Sequence, residues 1–144
     1  MLTLVKRNAA VFGSIIMLIG LMVFSSLKHQ NSPDKNPTWL APTSANHLVN
    51  PLKNDESVIK QGRKLYVHEC SVCHGSHGKG DGIAGVSLNP MPTNFFWEEF
   101  QTQTDGSIYY KITVGKAPMA GYGSTMSETE RWQLVNYLRT FQKK

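Results

Sequence analysis

The sequence predicts an all-α fold, with three to four short helices in one domain and a transmembrane helix in front of it. Three observations carry this prediction. Residues 8–27 are uncharged and mostly apolar over a length that spans a bilayer. Apolar residues recur at helical spacing behind Asn54-Asp55, Thr104-Asp105 and Ser127, each a natural capping position. No βαβ pattern is visible anywhere in the chain.

A length of 144 residues leaves room for one domain plus an anchor or tail. With 40% hydrophobic and 17% charged residues, the composition is globular and not that of a disordered chain. The net charge of +5 raises the question of nucleic acid. Lys6 and Arg7 stand in front of the apolar run, however, so part of the excess is topological. Charge therefore gives no ground for a nucleic-acid partner.

Residues 1–27 read as the anchor. Twenty helical residues from Asn8 to Leu27 cover about 30 Å, the thickness of the hydrocarbon core. The basic pair in front predicts a cytoplasmic N-terminus and an exported remainder. A cleaved signal peptide is the alternative, with Val23-x-Ser25 as a poor cleavage site and a run that is long for an h-region. In either case the remainder of the chain faces the periplasm or exterior. Residues 28–53 read as a Pro-rich tether, with Pro33, Pro37, Pro42 and Pro51 forbidding a long helix. Trp39-Leu40 and Leu48-Val49 leave open whether part of it lies against the domain.

Residues 54–144 form the predicted domain. Val58, Ile59, Gly62, Leu65 and Tyr66 define its first helix. A glycine inside a helix costs about 1 kcal/mol relative to alanine, so Gly62 implies close approach of another helix. The helix runs into Cys70-Ser71-Val72-Cys73-His74, which holds both cysteines of the chain. This spacing attaches a c-type haem: each thiol adds across a vinyl group, and the histidine falls beneath the ring as an axial ligand. A redox dithiol would expect a βαβ surround, and a structural zinc site would need a second ligand pair, neither of which is present.

Four glycines within Gly75–Gly82 make a loop. It lacks the preceding strand and the GK[ST] ending of a phosphate-binding loop. Residues 83–97, broken by Pro90 and Pro92, are irregular. One carbonyl there is expected to take the Nδ1 proton of His74. Asp105–Val114 reads as a short helix stopped by Gly115, and a second loop, 115–123, carries Met119. Ser127-Glu128-Thr129-Glu130 is a capping box opening a terminal helix through Phe141.

The second axial position of the iron decides function, because a strong ligand makes an electron carrier and an open site permits peroxide or gas chemistry. Candidates are Met91, Met119, Met126 and the remaining histidines. His77 lies too close to His74 in sequence, His68 precedes the motif on the same helix, and Met126 sits where a core residue belongs. Met91 is flanked by prolines. Met119, in a loop between two helices, is the expected distal ligand.

From about Asn50 onward the chain resembles the class I, monohaem cytochrome c family. The resemblance rests on Gly62-x-x-x-Tyr66-x-x-x-Cys70-x-x-Cys73-His74-Gly75, then Gly78-x-Gly80-Asp81-Gly82, Gly115-x-x-x-Met119 and Trp132-x-x-x-x-Tyr137-Leu138. It implies the class I cytochrome c fold, three to four short helices around one covalent haem c, with Gly62 and Tyr66 meeting Leu134 and Tyr137 where the first and last helices cross. It also implies aromatic packing around the ring by Tyr66, Tyr109, Tyr110, Trp97 and Tyr122. The GxGDG loop is most similar to bacterial membrane-bound relatives that feed electrons to quinol-oxidising complexes or terminal oxidases. Ala120 departs from the proline that many relatives carry after the ligand methionine.

The expectation is thus an electron-transfer cytochrome, not an enzyme with a small-molecule substrate, anchored on the outer face of the cytoplasmic membrane. The alternatives are a five-coordinate haem enzyme or gas sensor, and a fixed subunit of a larger oxidase or reductase.

Overall fold

A computed structural model of the protein describes residues 39–53 and 55–142. The expected anchor, residues 1–27, lies outside them, as does the first part of the tether. Among the described residues no helix is long and apolar enough to cross a membrane.

Helix α1 (Glu56–Leu65) starts at Asp55, whose carboxylate accepts the Ser57 N–H and satisfies one of the unpaired donors of the first turn. Its end passes without a break into a π turn, Tyr66–Cys70, and then α2 (Ser71–His74). The sequence predicts one uninterrupted helix here. Ser71 makes the difference: its N–H reaches back to Tyr66 O instead of Val67 O, and its hydroxyl donates to the freed Val67 carbonyl at 2.7 Å. Such single π turns leave a helix intact while shifting the phase of its next turns. The two cysteines and His74 lie immediately after that shift.

A short helix α3 (Glu98–Gln101), which has no signal in the sequence, comes after the irregular segment. Helix α4 (Asp105–Val114) is capped by Thr104, which accepts the Ser107 N–H, and stops at Gly115, φ 65°. Helix α5 (Glu128–Arg139) opens with the full capping box between Ser127 and Glu130. It ends two residues before Phe141, because Thr140 turns its N–H and hydroxyl onto the Tyr137 carbonyl. Phe141 is nonetheless buried, against the rings of Tyr66 and Phe95.

The core is the place where α1 crosses α5. At Gly62 a Cβ would stand 2.1 Å from the Gln133 carbonyl oxygen and 2.9 Å from Tyr137 Cβ, so only glycine permits this approach. Tyr66, fully buried, meets Tyr137 one turn on, with ring centroids 5.2 Å apart. Leu134, Val135 and Leu138 of α5 fill the interior beside Ile108 and Ile112 of α4.

Residues 39–53 are packed against these helices. A 3-10 helix, Thr43–His47, buries Ala45 beside α4, and Asn46 Oδ1 accepts hydroxyl hydrogen bonds from Thr104 and Ser107. Asn50 is buried; it donates to Asp105 and accepts from the Leu52 N–H and from Asn136. Arg139 closes the cluster by bonding Asp105 and the carbonyls of Gln101 and Gln103. These contacts hold the segment in front of Asn54 to both α4 and α5.

Candidate haem site

His74 is the last residue of α2; its imidazole is held by two neighbours, and the backbone after it by a third. Nδ1 lies 3.3 Å from the Thr93 carbonyl oxygen. A carbonyl only accepts, so Nδ1 carries the proton and Nε2 keeps its lone pair for a metal. The Phe95 ring stacks on the imidazole at 4.7 Å and 19°. The next residue, Gly75, is fixed by the buried Tyr66 hydroxyl, which donates to its carbonyl at 2.6 Å. Burial lowers the pKa of His74, partly opposed by the Thr93 hydrogen bond, and favours the neutral form that a ligand needs. Burial also pushes the Tyr66 phenol up, with the neighbouring Cys70 adding to the effect.

Cys70 and Cys73 are both partly buried. Before haem attachment, desolvation, followed by the charges of Glu69 and Cys73, pushes the Cys70 thiol up to about 12. The glycine-rich loop folds back over the motif's backbone. Gly80 N–H donates to His74 O, Gly82 N–H to Cys73 O, and Ala84 N–H to Val72 O. At Gly85 a Cβ would sit 2.1 Å from the Cys73 carbonyl oxygen. The glycines therefore serve a backbone-on-backbone contact that satisfies three carbonyls at the end of α2.

Met119 belongs to a loop that leaves α4 at Gly115 and returns at Tyr122. The loop closes on itself through paired hydrogen bonds between Lys116 and Met119, and its base is held where Tyr122 and Gly123 donate to the carbonyls of Ile112 and Thr113. Lys116, Ala117, Pro118 and Ala120 are exposed, whereas Met119 is partly buried. Met126 packs in the core at 8% exposure and Met91 is half exposed at 51%.

The aromatic residues expected around the ring divide into separate groups. Tyr122 reaches the cysteine motif: its hydroxyl donates to Glu69 O at 3.2 Å, and burial with the adjoining Cys70 raises its pKa. Tyr66 stands behind the motif in the α1–α5 crossing. Tyr109 stacks on Trp132 at 4.1 Å and 17°, and its hydroxyl accepts from Arg131. Tyr110 is partly buried and Trp97 is 42% exposed. Thr93 supplies the carbonyl expected within residues 83–97, at a position the sequence does not specify because any residue would supply one. Phe95 and Arg131 escape the sequence-based expectation. Arg131 does leave a signal, since it falls on the apolar stripe 131, 134, 135, 138 of α5.

Two thiols separated by two residues, an imidazole with one nitrogen already committed and a partly buried thioether are a donor set that fits a covalently attached haem. Among the described residues there is no cluster of three or more His, Cys, Asp or Glu side chains able to hold a metal ion by themselves.

The family model described as cytochrome c oxidase, cbb3-type, subunit III matches residues 57–138, more than half of the chain. A thiosulfate dehydrogenase from Stutzerimonas stutzeri (strain A1501) is 22% identical over 88 residues, covering 59% of this chain and 28% of that protein. A chain of the Kuenenia stuttgartiensis reducing HAO-like protein complex is similar in structure, with TM-score 0.59 and 25% identity over 78% of this chain and 52% of that one. Cytochrome CL from Methylophaga aminisulfidivorans shares the fold, with TM-score 0.53 and 20% identity over 79% of this chain and 71% of that one. The chain thus spans less than two thirds of the thiosulfate dehydrogenase and of the Kuenenia protein. The described domain has the mostly helical cytochrome c fold, its cofactor is covalently bound haem c, and its function is electron transfer.

Proposed function

The chain belongs to the family of cbb3-type cytochrome c oxidase subunit III, and on that premise we propose that it is a membrane-tethered one-electron relay working on the periplasmic side. Cys70 and Cys73 carry the thioether bonds, His74 is the proximal ligand and Met119 the distal one. The observation that carries this reading is the Thr93 carbonyl on His74 Nδ1, directly after the only two cysteines, since it leaves Nε2 as the ligating nitrogen. When bound, the haem supplies a reversible Fe(III)/Fe(II) couple. The protein's part is to hold both ligands through the change of charge without rearrangement. Thr93, Phe95 and the Tyr66–Gly75 hydrogen bond do this on the His74 side, and the α4 carbonyls hold the base of the Met119 loop on the other. Met119 offers a soft thioether that favours the reduced metal and raises the potential relative to bis-histidine ligation.

A quinol-oxidising complex or a terminal oxidase is the proposed class of partner, supported by the family's description. A fixed place in a larger oxidoreductase is the second reading. It is favoured because a distant relative is a longer chain named thiosulfate dehydrogenase and a structural neighbour is part of a named redox complex. Residues 8–27, uncharged and preceded by Lys6-Arg7, support the tether.

The ligation reading is tested with carbon monoxide. The reduced protein at neutral pH, without denaturant, is expected to bind none and to titrate as one reversible one-electron couple. Ready binding under those conditions would establish an open coordination site and replace the relay with a five-coordinate haem protein.

A further inference from the structure

Arg131 is the charged member of an otherwise apolar stripe on α5, and it is only 6% exposed. It sits at the end of the helix's first turn, where the positive end of the dipole does not favour a cation. The ion pairs among the described residues join His68 to Glu69 and Arg139 to Asp105, and no carboxylate is paired with Arg131. A buried cation in this position is costly unless its donors are used.

They are used on one stretch of loop and on a tyrosine of α4. Nη1 donates to the carbonyls of Met126 at 2.6 Å and Gly123 at 3.1 Å, and lies 3.5 Å from that of Tyr122. Nη2 donates to the Tyr109 hydroxyl at 2.7 Å, and the guanidinium lies over the Tyr109 ring, itself stacked on Trp132. Nε is buried and has no hydrogen-bond partner among the described residues. The three carbonyls belong to the segment returning from Met119 to α5. Within that segment Tyr122 also reaches Glu69 O, next to Cys70. The loop bonds of Arg131 go to neither Met119 nor the cysteine motif; they grip the stretch between Met119 and α5, whose Tyr122 reaches Glu69 in front of Cys70.

We infer that Arg131 is a positioning residue for the distal ligand, restraining segment 122–126 so that the Met119 thioether stays on the iron. The inference rests on Met119 as that ligand. An apolar side chain of similar length would fill the same space, and the stripe would then be uniformly hydrophobic, as a brace for α5 alone requires. Hydrogen bonding to loop carbonyls is the property that only the guanidinium adds.

The test uses the full-length holoprotein and three variants, Arg131→Met, Tyr109→Phe and Met119→Ala. The ferric sulfur–iron band in the near infrared and the far-ultraviolet helix signal are followed together on heating. In folded Arg131→Met the band is expected to be lost at temperatures where helix content is unchanged, and the reduced variant is expected to bind carbon monoxide. If Arg131→Met fails to fold, Tyr109→Phe is read instead. It removes the phenol that anchors Nη2 and is expected to lower the band's midpoint by about 5 °C or more relative to the helix midpoint. Band and helix signal melting together as in wild type, with no carbon monoxide binding, would overturn the inference. A band that survives Met119→Ala would overturn the ligand reading and this inference with it. A band lost in Met119→Ala but intact in the folded variant of the pair would overturn this inference alone.

Discussion

Around His74, two neighbours act on the side chain and a third on the backbone beside it. Thr93 selects the tautomer, Phe95 limits rotation of the ring, and Tyr66 secures the backbone one residue on. The sequence points to Cys70, Cys73 and His74 as the haem-binding residues because that expectation depends on side-chain type at fixed spacing. That a carbonyl of residues 83–97 meets Nδ1 is expected too, but which one is not legible, because a main-chain oxygen is placed only by how that segment folds. Phe95 is hidden for a related reason: an aromatic in an irregular segment has no periodicity to reveal what it stacks on. The hydroxyl of Tyr66 is a separable contribution, since the ring packs and the oxygen bonds. Tyr66→Phe keeps the packing and removes the hydrogen bond to Gly75, whose carbonyl still accepts from the Gly78 N–H. Denaturant unfolding is expected to show a loss of about 1 kcal/mol, with the visible spectrum unchanged. An altered spectrum would mean that the hydroxyl takes part in holding the ligand.

At the level of elements, the caps explain why the helix starts are legible. Asp55, Thr104 and Ser127 each accept a backbone N–H of the first turn, so the boundary is written in one side chain. The ends and interruptions are less so. The π turn depends on which carbonyl the Ser71 N–H chooses, and α3 is too short for its periodicity to register. The packing of Thr43–Asn50 depends on hydrogen bonds to partners more than fifty residues away. Gly62 is legible as an anomaly, and the structure supplies its cause in the Gln133 carbonyl. Gly62→Ala sets two effects against each other: about 1 kcal/mol of helix propensity gained, and a Cβ placed 2.1 Å from main-chain oxygen. Main chain at a helix crossing has little freedom to move, so the clash prevails. A net destabilisation of about 2 kcal/mol is expected in denaturant unfolding of the holoprotein. A variant as stable as wild type would show that α1 and α5 do not approach this closely.

For the whole molecule, one attached cofactor, one packed helical domain and an apolar N-terminal run motivate the proposal of a tethered relay, since a tether would keep effective concentration high. The fold and the cofactor rest on residues 57–138; tether, sidedness and partners are the proposed part. Membranes washed at high pH are expected to retain the haem protein, and mild detergent to release it. Release by the alkaline wash alone would contradict an uncleaved anchor. After detergent, migration as a lone haem protein fits a free relay, whereas a stable larger assembly fits a complex subunit. Both architectures are compatible with the proposed His74–Met119 ligand pair, and that pair is the centre of the functional reading. It is addressed most directly by the near-infrared spectrum and midpoint potential of Met119→Ala beside wild type. Wild type is expected to show the ferric sulfur–iron band, and the variant to lose it and fall in potential; an unchanged spectrum and potential in Met119→Ala, with the band disappearing instead in Met91→Ala, would contradict it.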